Sequence, residues 1–170
     1  MKFTFQQLTE DDLETMSVWL TRPHLQKWWR EEEISLNSLR KKYLPRIKSP
    51  DAAHPYLAYL PAGPVGYIQY YSVSNGRKDW WPEKPGPGLI GIDLFIADVE
   101  NLNKGMGTEL LSQFINWLQE KEKFRKIWID PSPENERAIR CYEKAGFKKR
   151  GLITTPAGKA MMMEYDTRLN

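Results

Sequence analysis

Three places in this sequence hold residue types whose spacing suits chemistry. The first is Asn103-Lys104-Gly105-Met106-Gly107-Thr108, set between an apolar run, Leu89–Ala97, and a segment of helical periodicity, Met106–Glu120. A strand, a glycine-rich turn and a helix N-terminus together make an anion site. Free backbone N–H groups and the positive end of the helix dipole converge there. Glycine lets a phosphate approach the main chain closely, and Lys104 adds charge. The second is Asn135-x-x-Ala138-x-x-x-Tyr142-x-x-x-Gly146-Phe147. Steps of three and four put Asn135, Ala138 and Tyr142 on one helix face with Ala145 nearby, leaving a groove with a phenol in it. The third is Asp93, inside the apolar run. Alternation sends Ile90, Ile92, Leu94 and Ile96 to one face and Gly91, Asp93 and Phe95 to the other. A carboxylate there must face a cleft or meet a partner, because burying an unpaired charge costs too much.

Other matches carry less. Gly86-Pro87-Gly88-Leu89-Ile90-Gly91 reproduces Gly-x-Gly-x-x-Gly, but it precedes a strand and holds a proline in the turn. His24 and His54 lie beside prolines and are too far apart in sequence for a helical zinc pair. The single cysteine, Cys141, excludes disulfides within the chain and multi-cysteine zinc sites. It shares a helix side with Ala138 and Ala145 and reads as a buried, inert thiol. Seven tryptophans include two adjacent pairs, Trp28-Trp29 and Trp80-Trp81. Neighbours in sequence point apart, so such pairs in loops can form pocket walls.

These groups need a scaffold. A chain of 170 residues suits one domain, 1–170. Apolar residues at 41% and charged residues at 28% fit a globular chain. The formal charge is +3, yet basic and acidic residues alternate instead of clustering, which argues against a nucleic-acid face. No apolar run approaches the roughly 20 residues of a membrane helix. The start, Met1-Lys2-Phe3-Thr4-Phe5, lacks a signal-peptide pattern, so a cytoplasmic setting is expected.

The elements follow from periodicity and punctuation. Phe3–Gln7 alternates like a strand. Thr9 and Asp12 cap a helix with the stripe Leu13, Met16, Trp19 and Leu20, which Pro23 should stop. A second helix is expected from about Ser35 to Leu44, ended by Pro45. Tyr56–Leu60 and Val65–Tyr71 flank Pro61-Ala62-Gly63-Pro64 as in a hairpin. Residues 72–88 form a long glycine- and proline-rich loop. Leu89–Ala97 and Lys126–Ile129 read as strands. Ser132 as N-cap and Pro133 at the first helical position open a helix that ends at Ala145, before Gly146. Phe147–Thr154 and Ala160–Tyr165 make a closing hairpin around Pro156-Ala157-Gly158. The order β-α-α-β-β-β-α-β-α-β-β is α/β.

The glycine loop followed by Asn-x-x-Ala-x-x-x-Tyr-x-x-x-Gly-Phe resembles the GNAT superfamily of acetyl-CoA-dependent N-acetyltransferases. The loop is usually written there as (Gln/Arg)-x-x-Gly-x-(Gly/Ala), with Leu102 at its first position here. The resemblance covers about Phe3 to Tyr165. A closer similarity is to the aminoglycoside 6′-N-acetyltransferases. It rests on Trp28-Trp29, Tyr43-Leu44-Pro45, Trp80-Trp81, Gly91-Ile92-Asp93, Asp130-Pro131-Ser132-Pro133, the run Arg137 to Phe147, and Thr154-Thr155-Pro156.

The resemblance implies a GNAT-like twisted mixed β-sheet of six or seven strands flanked by helices. Its fourth and fifth strands, here Leu89–Ala97 and Lys126–Asp130, would splay to admit acetyl-CoA. Asp93 would be general base or amine-positioning residue, and Tyr142 the general acid on the departing thiolate. Main-chain N–H groups around Phe95 and Ile96 would hold the pantetheine arm. Asn103, Lys104, Gly105, Met106, Gly107 and Thr108 would hold the pyrophosphate, and Asn135 the cofactor arm. The acceptor would be a small cationic amine, most simply the 6′-amine of an aminoglycoside. Asp93, Asp130, Asp79 and Glu83 would supply carboxylates, Trp29 and Trp81 the walls, and Tyr43 a further substrate contact. Lys78 and Ala157 stand where those enzymes carry acids. No metal, nucleic acid or membrane is implied, and the chain would be a monomer or homodimer. Alternatives are another acceptor (a lysine-type or siderophore-precursor amine, a polyamine or a protein N-terminus) and, from a different class, a non-catalytic acyl-CoA- or RNA-binding module.

Overall fold

The computed structural model describes residues 1–29, 31–49, 53–74, 80–82 and 85–169. Strand β1 (Thr4–Gln7) leads into helices α1 (Asp12–Leu20), α2 (Pro23–Trp28) and α3 (Leu36–Lys48). A hairpin follows, β2 (His54–Leu60) and β3 (Gly63–Ser72), then the central strand β4 (Leu89–Ile96). Helix α4 (Met106–Gln119), strand β5 (Lys126–Ile129), helix α5 (Glu136–Lys144) and the hairpin β6 (Lys148–Thr155) and β7 (Gly158–Asp166) complete the order. The strands form one seven-stranded sheet, β1-β2-β3-β4-β5-β7-β6. Every pairing is antiparallel except β4 with β5, which is parallel.

That parallel pairing is short. It joins Leu89–Gly91 to Lys126–Trp128 only, and β4 runs on to Ile96 with β5 no longer beside it. The expected splay of the fourth and fifth strands is therefore present. The alternation in β4 sorts the two sides of the sheet. Ile92 and Ile96 pack with Leu110, Leu111 and Phe114 of α4 and Ile139 of α5. Phe95 packs on the other side, with Met16 and Trp19 of α1, Leu25 of α2 and Leu39 of α3. No helix among the described residues is long and apolar enough to cross a membrane.

Several boundaries depart from the sequence expectation, each for a local reason. Pro23 does not simply stop α1. It occupies the first turn of α2, after an extended Arg22, where its missing N–H would have had no helical partner anyway. Pro45 lies inside α3 instead of ending it. Only the bond to the Lys41 carbonyl is lost, on an exposed side of the helix where water can replace it. The start of α3 is as expected: Ser35 and Ser38 form a reciprocal capping box. Helix α5 starts at Glu136, not at Pro133, because the Asn135 side chain is the cap, accepting the Ala138 N–H at 3.2 Å. Ser132 makes the preceding turn, its carbonyl accepting the Asn135 N–H. The same helix ends in a Schellman motif. Gly146 has φ +98°, Phe147 N–H reaches the Tyr142 carbonyl, and the Phe147 ring packs on Tyr142.

A third apolar cluster gathers Trp81, Trp128, Tyr71, Leu89 and Met162 at the start of β4. Glu164 holds it, accepting Trp128 Nε1 at 2.8 Å and Lys126 Nζ at 3.0 Å. Burial alone would raise the Glu164 carboxyl, but these two donors outweigh it and hold the group below its ordinary value. A depressed carboxylate contributes stability above its unfolded value near pH 4.3 and loses it as pH falls through the folded one. Glu164→Gln should thus cost about 1 kcal/mol at pH 7. The difference from wild type should close progressively below about pH 4, read from urea midpoints at both pH values.

Candidate active site

A cavity of about 800 Å³ opens where β4 and β5 part. One wall comes from α2 and α3, the other from α5 and the loop before α4. The β3–β4 register, unbroken from Gly66–Ile96 to Ser72–Ile90, decides which main-chain groups face it. Ala97 N–H bonds Val65, and the Leu89 carbonyl takes Val73 N–H, so odd-numbered residues of β4 pair with β3. Even-numbered residues turn their backbone groups the other way. Ile92 N–H is spent on the Gly91–Trp128 pairing, so the amides in the gap are those of Leu94 and Ile96. The expected N–H at Phe95 is corrected by this parity: it belongs to the β3 ladder, although Phe95 itself lines the cavity. His24 Nε2 contacts the Ile96 carbonyl at 3.1 Å and ties α2 to the end of β4.

Asp93 lies on the cavity wall and meets a partner as well. Its Oδ2 accepts Gln69 Nε2 at 2.6 Å. The Gln69 Oε1 accepts Tyr67 Oη at 2.7 Å and Arg46 Nη1 at 2.9 Å, so the amide can face only one way. Gln69 and Arg46 escaped the sequence reading. The signal was a polar residue in an otherwise apolar central strand, but its position opposite Asp93 needs the register of β3 on β4. Gly91, beside Asp93, serves packing: a Cβ there would meet the Tyr71 ring at 2.3–2.5 Å.

Tyr142 lines the same cavity from α5. Burial pushes its phenol well above the usual tyrosine value, with Cys141 and the carboxylates of Asp93 and Asp130 acting in the same direction. It therefore keeps its proton throughout the physiological range and can serve as a donor. Burial likewise raises the Cys141 thiol, against opposing effects from Thr108 and nearby cations, in keeping with an unreactive group.

In the loop before α4, Asn103 (φ +60°) and Gly105 (φ +81°) are both left-handed, and Gly105 is the N-cap that turns the chain into α4. Asn103, Gly105, Gly107 and Thr108 line the cavity. Met106 instead inserts its side chain into the core, and Lys104 is exposed outside the cavity wall, so each offers only main chain or distant charge. The Thr108 hydroxyl turns to the Cys141 carbonyl and Sγ. Asn135 lines the cavity, with Oδ1 committed to its helix cap. Arg137, Arg140 and Lys144 also line it. Their spacing of i, i+3, i+7 on α5 is the sequence signal that went unused.

The acceptor-side expectations divide. Trp29 lines the cavity, edge-on to Tyr67 and Phe95 at 5.6 and 4.9 Å, with Nε1 donating to Glu31. Tyr43 does not: it is fully buried behind Tyr67, its hydroxyl bonded to Glu31. Trp81 is also a correction, buried 5.1 Å from Trp128 in the third cluster, away from the cavity. Its neighbour Trp80 is the wall, donating its indole N–H to Asp130, which lines the cavity beside it. Asp79, Glu83 and Lys78 lie outside the described residues.

A mixed sheet opened between its fourth and fifth strands, with a left-handed glycine turn at a helix N-terminus and a carboxylate and phenol in the opening, is the architecture of the GNAT class of N-acetyltransferase. Residues 9–155 match the acetyltransferase (GNAT) domain family, and the chain belongs to it. Aminoglycoside N(6′)-acetyltransferase type 1 of Klebsiella pneumoniae is 41% identical over 162 residues, 94% of this chain and 81% of that protein. The kanamycin resistance protein of Rhizobium radiobacter is 48% identical over 87 residues, 51% of this chain and 81% of its relative. The crystal structure of aminoglycoside acetyltransferase AAC(6′)-Ib with coenzyme A and kanamycin has a TM-score of 0.90 at 39% identity. It covers 98% of this chain and 96% of its own.

Proposed function

We propose that this N-acetyltransferase moves the acetyl group of acetyl-CoA to a primary amine of an aminoglycoside, the 6′-amine. The observation that carries the reading is the placement of Asp93 and Tyr142 on the walls of one strand gap, close enough for the carboxylate to raise the phenol. The turn makes an anion cradle that fits the diphosphate of coenzyme A: two left-handed residues and the α4 N-terminus present amides, and the space beside Gly105 is open. Arg137, Arg140 and Lys144 add cationic charge around the same ligand. Bound there, acetyl-CoA supplies the activated thioester.

The chain's own groups then divide the work. Amides of Leu94 and Ile96 hold the pantetheine arm and polarise the thioester carbonyl. Asp93 holds the acceptor amine against that carbonyl and takes its proton, directly or through water. As the N–C bond forms and the C–S bond breaks, the Tyr142 hydroxyl donates to the departing thiolate. Gln69, fixed by Tyr67 and Arg46, keeps the Asp93 carboxylate in register. Trp29 and Trp80 cover sugar C–H faces and lie near ammonium groups.

Thiol release from acetyl-CoA tests the function, with kanamycin or tobramycin against spermidine and lysine as controls. Rapid release with the aminoglycosides is expected, and release only with a control amine would refute the acceptor. The wall assignment makes its own prediction. Trp29→Ala and Trp80→Ala should each raise the acceptor KM by about tenfold and leave kcat and the acetyl-CoA KM within about threefold, since stacking serves ground and transition state alike. Trp81→Ala should instead lower the thermal midpoint, as expected for truncating a buried aromatic.

A further inference from the structure

Two cations of α3, Lys42 and Arg46, stand on the wall of the cavity that holds Asp93. They are not equivalent. The Lys42 ammonium lies 2.7 Å from both Glu31 oxygens and is neutralised there. Arg46 sits over the Tyr43 ring at 5.2 Å and gives one N–H to the neutral Gln69 amide. Among the described residues no carboxylate lies within ion-pair distance of it. Arg46 and Asp93 bond opposite ends of one side-chain amide, so a cation and an anion face the acceptor space a short molecule's span apart.

We propose that Arg46 is a specificity-determining residue that sorts acceptors by the charge carried beside the reacting amine. It favours an amine bearing a carboxylate there and disfavours one that places a second ammonium there. The inference deepens the reading of the site given above and rests on Asp93 as the amine-side carboxylate. With the amine at Asp93, a substrate carboxylate can take two parallel N–H bonds from the guanidinium fork. A second ammonium in the same place meets a like charge, in a cleft where water screens it less than in bulk. The ring beneath and the bond to Gln69 restrain Arg46 from swinging away.

Lysine and cadaverine test this, because they differ only in the carboxylate, with kanamycin as a multiply charged third acceptor. Wild type, Arg46→Gln and Arg46→Lys are compared by thiol release and by calorimetric binding of each amine to the coenzyme A-bound protein. In both variants Tyr67 still donates to Gln69 Oε1, which holds the amide facing Asp93. In Arg46→Gln the cadaverine-to-lysine ratio of kcat/KM, and of binding constants, should shift toward cadaverine by about tenfold or more. The kanamycin KM should fall. Arg46→Lys keeps the charge and should hold the ratio within about threefold of wild type. An unchanged ratio in Arg46→Gln, or a fall of all three acceptors together, overturns the proposal and leaves Arg46 as a prop for Gln69. So does a wild-type protein that neither binds nor acetylates lysine and cadaverine, whatever it does with kanamycin. A wild type that turns over lysine and cadaverine but not kanamycin refutes the aminoglycoside reading, and the ratio still decides the role of Arg46.

Discussion

Replacing Asp93 by asparagine should lower kcat/KM for a confirmed acceptor by about 10²–10⁴, the usual span for a positioned acid or base. The acceptor is an ammonium at neutral pH, and only its free amine attacks a thioester. Asparagine keeps the shape and an oxygen for Gln69 Nε2 to bond, so the network around Gln69 survives. It cannot take a proton or offset positive charge. Acetyl-CoA affinity should be nearly unchanged, because the anion cradle lies at the other end of the gap. Raising the pH should partly rescue the variant by delivering acceptor already deprotonated. Tyr142→Phe should lose less and gain little from high pH, since the phenol keeps its proton there anyway. A pH–rate profile of the three proteins decides the matter. An Asp93→Asn protein within threefold of wild type across pH 6–9 would remove this residue from the mechanism.

Gly105→Val and Gly107→Val should weaken acetyl-CoA by about 100-fold or more and abolish the rise in melting temperature that the ligand causes. The two substitutions fail for different reasons. A side chain at 105 meets open space, so the damage is to the backbone: φ +81° is a conformation β-branched residues avoid, and the amides reorient when it is lost. A Cβ at 107 would sit 3.1 Å from Cys141 Sγ, so the Cys141 side chain must give by a few tenths of an ångström, and the two methyls of valine ask for more. Losing even one or two charge-assisted bonds to phosphate, at about 1.5–3 kcal/mol each, accounts for the size of the effect. Gly105→Asn is the discriminating control. Asn103 already holds φ +60° two residues earlier, and asparagine tolerates that region, so binding should stay within about fivefold of wild type. Full acetyl-CoA affinity in Gly105→Val would move the cradle elsewhere.

Legibility in the sequence followed a physical line. Strands β4 and β5 and helix α4 were readable because each satisfies one strong period, and Asp93 was readable because it breaks the composition of β4 without breaking its period. Prolines misled in both directions. Pro23 and Pro45 carry a stop signal by type, but a first helical turn or a water-facing turn suffers little from a missing N–H. The Trp80-Trp81 pair reads as a pocket wall with Trp81 toward substrate, whereas Trp80 lines the cavity and Trp81 is core. Which member did which depended on Trp128, 47 residues after Trp81 and held by Glu164. Tyr43 reads as a polar-tipped aromatic near the substrate, yet its hydroxyl is consumed by Glu31 beneath the surface. Gln69 and Arg46 were invisible for the same reason: what a residue bonds across a register is a property of two segments, and neither alone contains it.

The short Leu89–Gly91 to Lys126–Trp128 pairing has one more consequence. Past Gly91 the most central strand of the protein has an open edge, of the kind that sheets elsewhere keep at their periphery and defend against aggregation. Here it lines a cavity between two walls of the fold, which a narrow, amide-bearing thread can enter. The pantetheine arm carries two amide groups of its own. On the proposed reading it completes the sheet as a non-protein strand, so that occupancy of the site and continuity of the fold become one property observed from two sides.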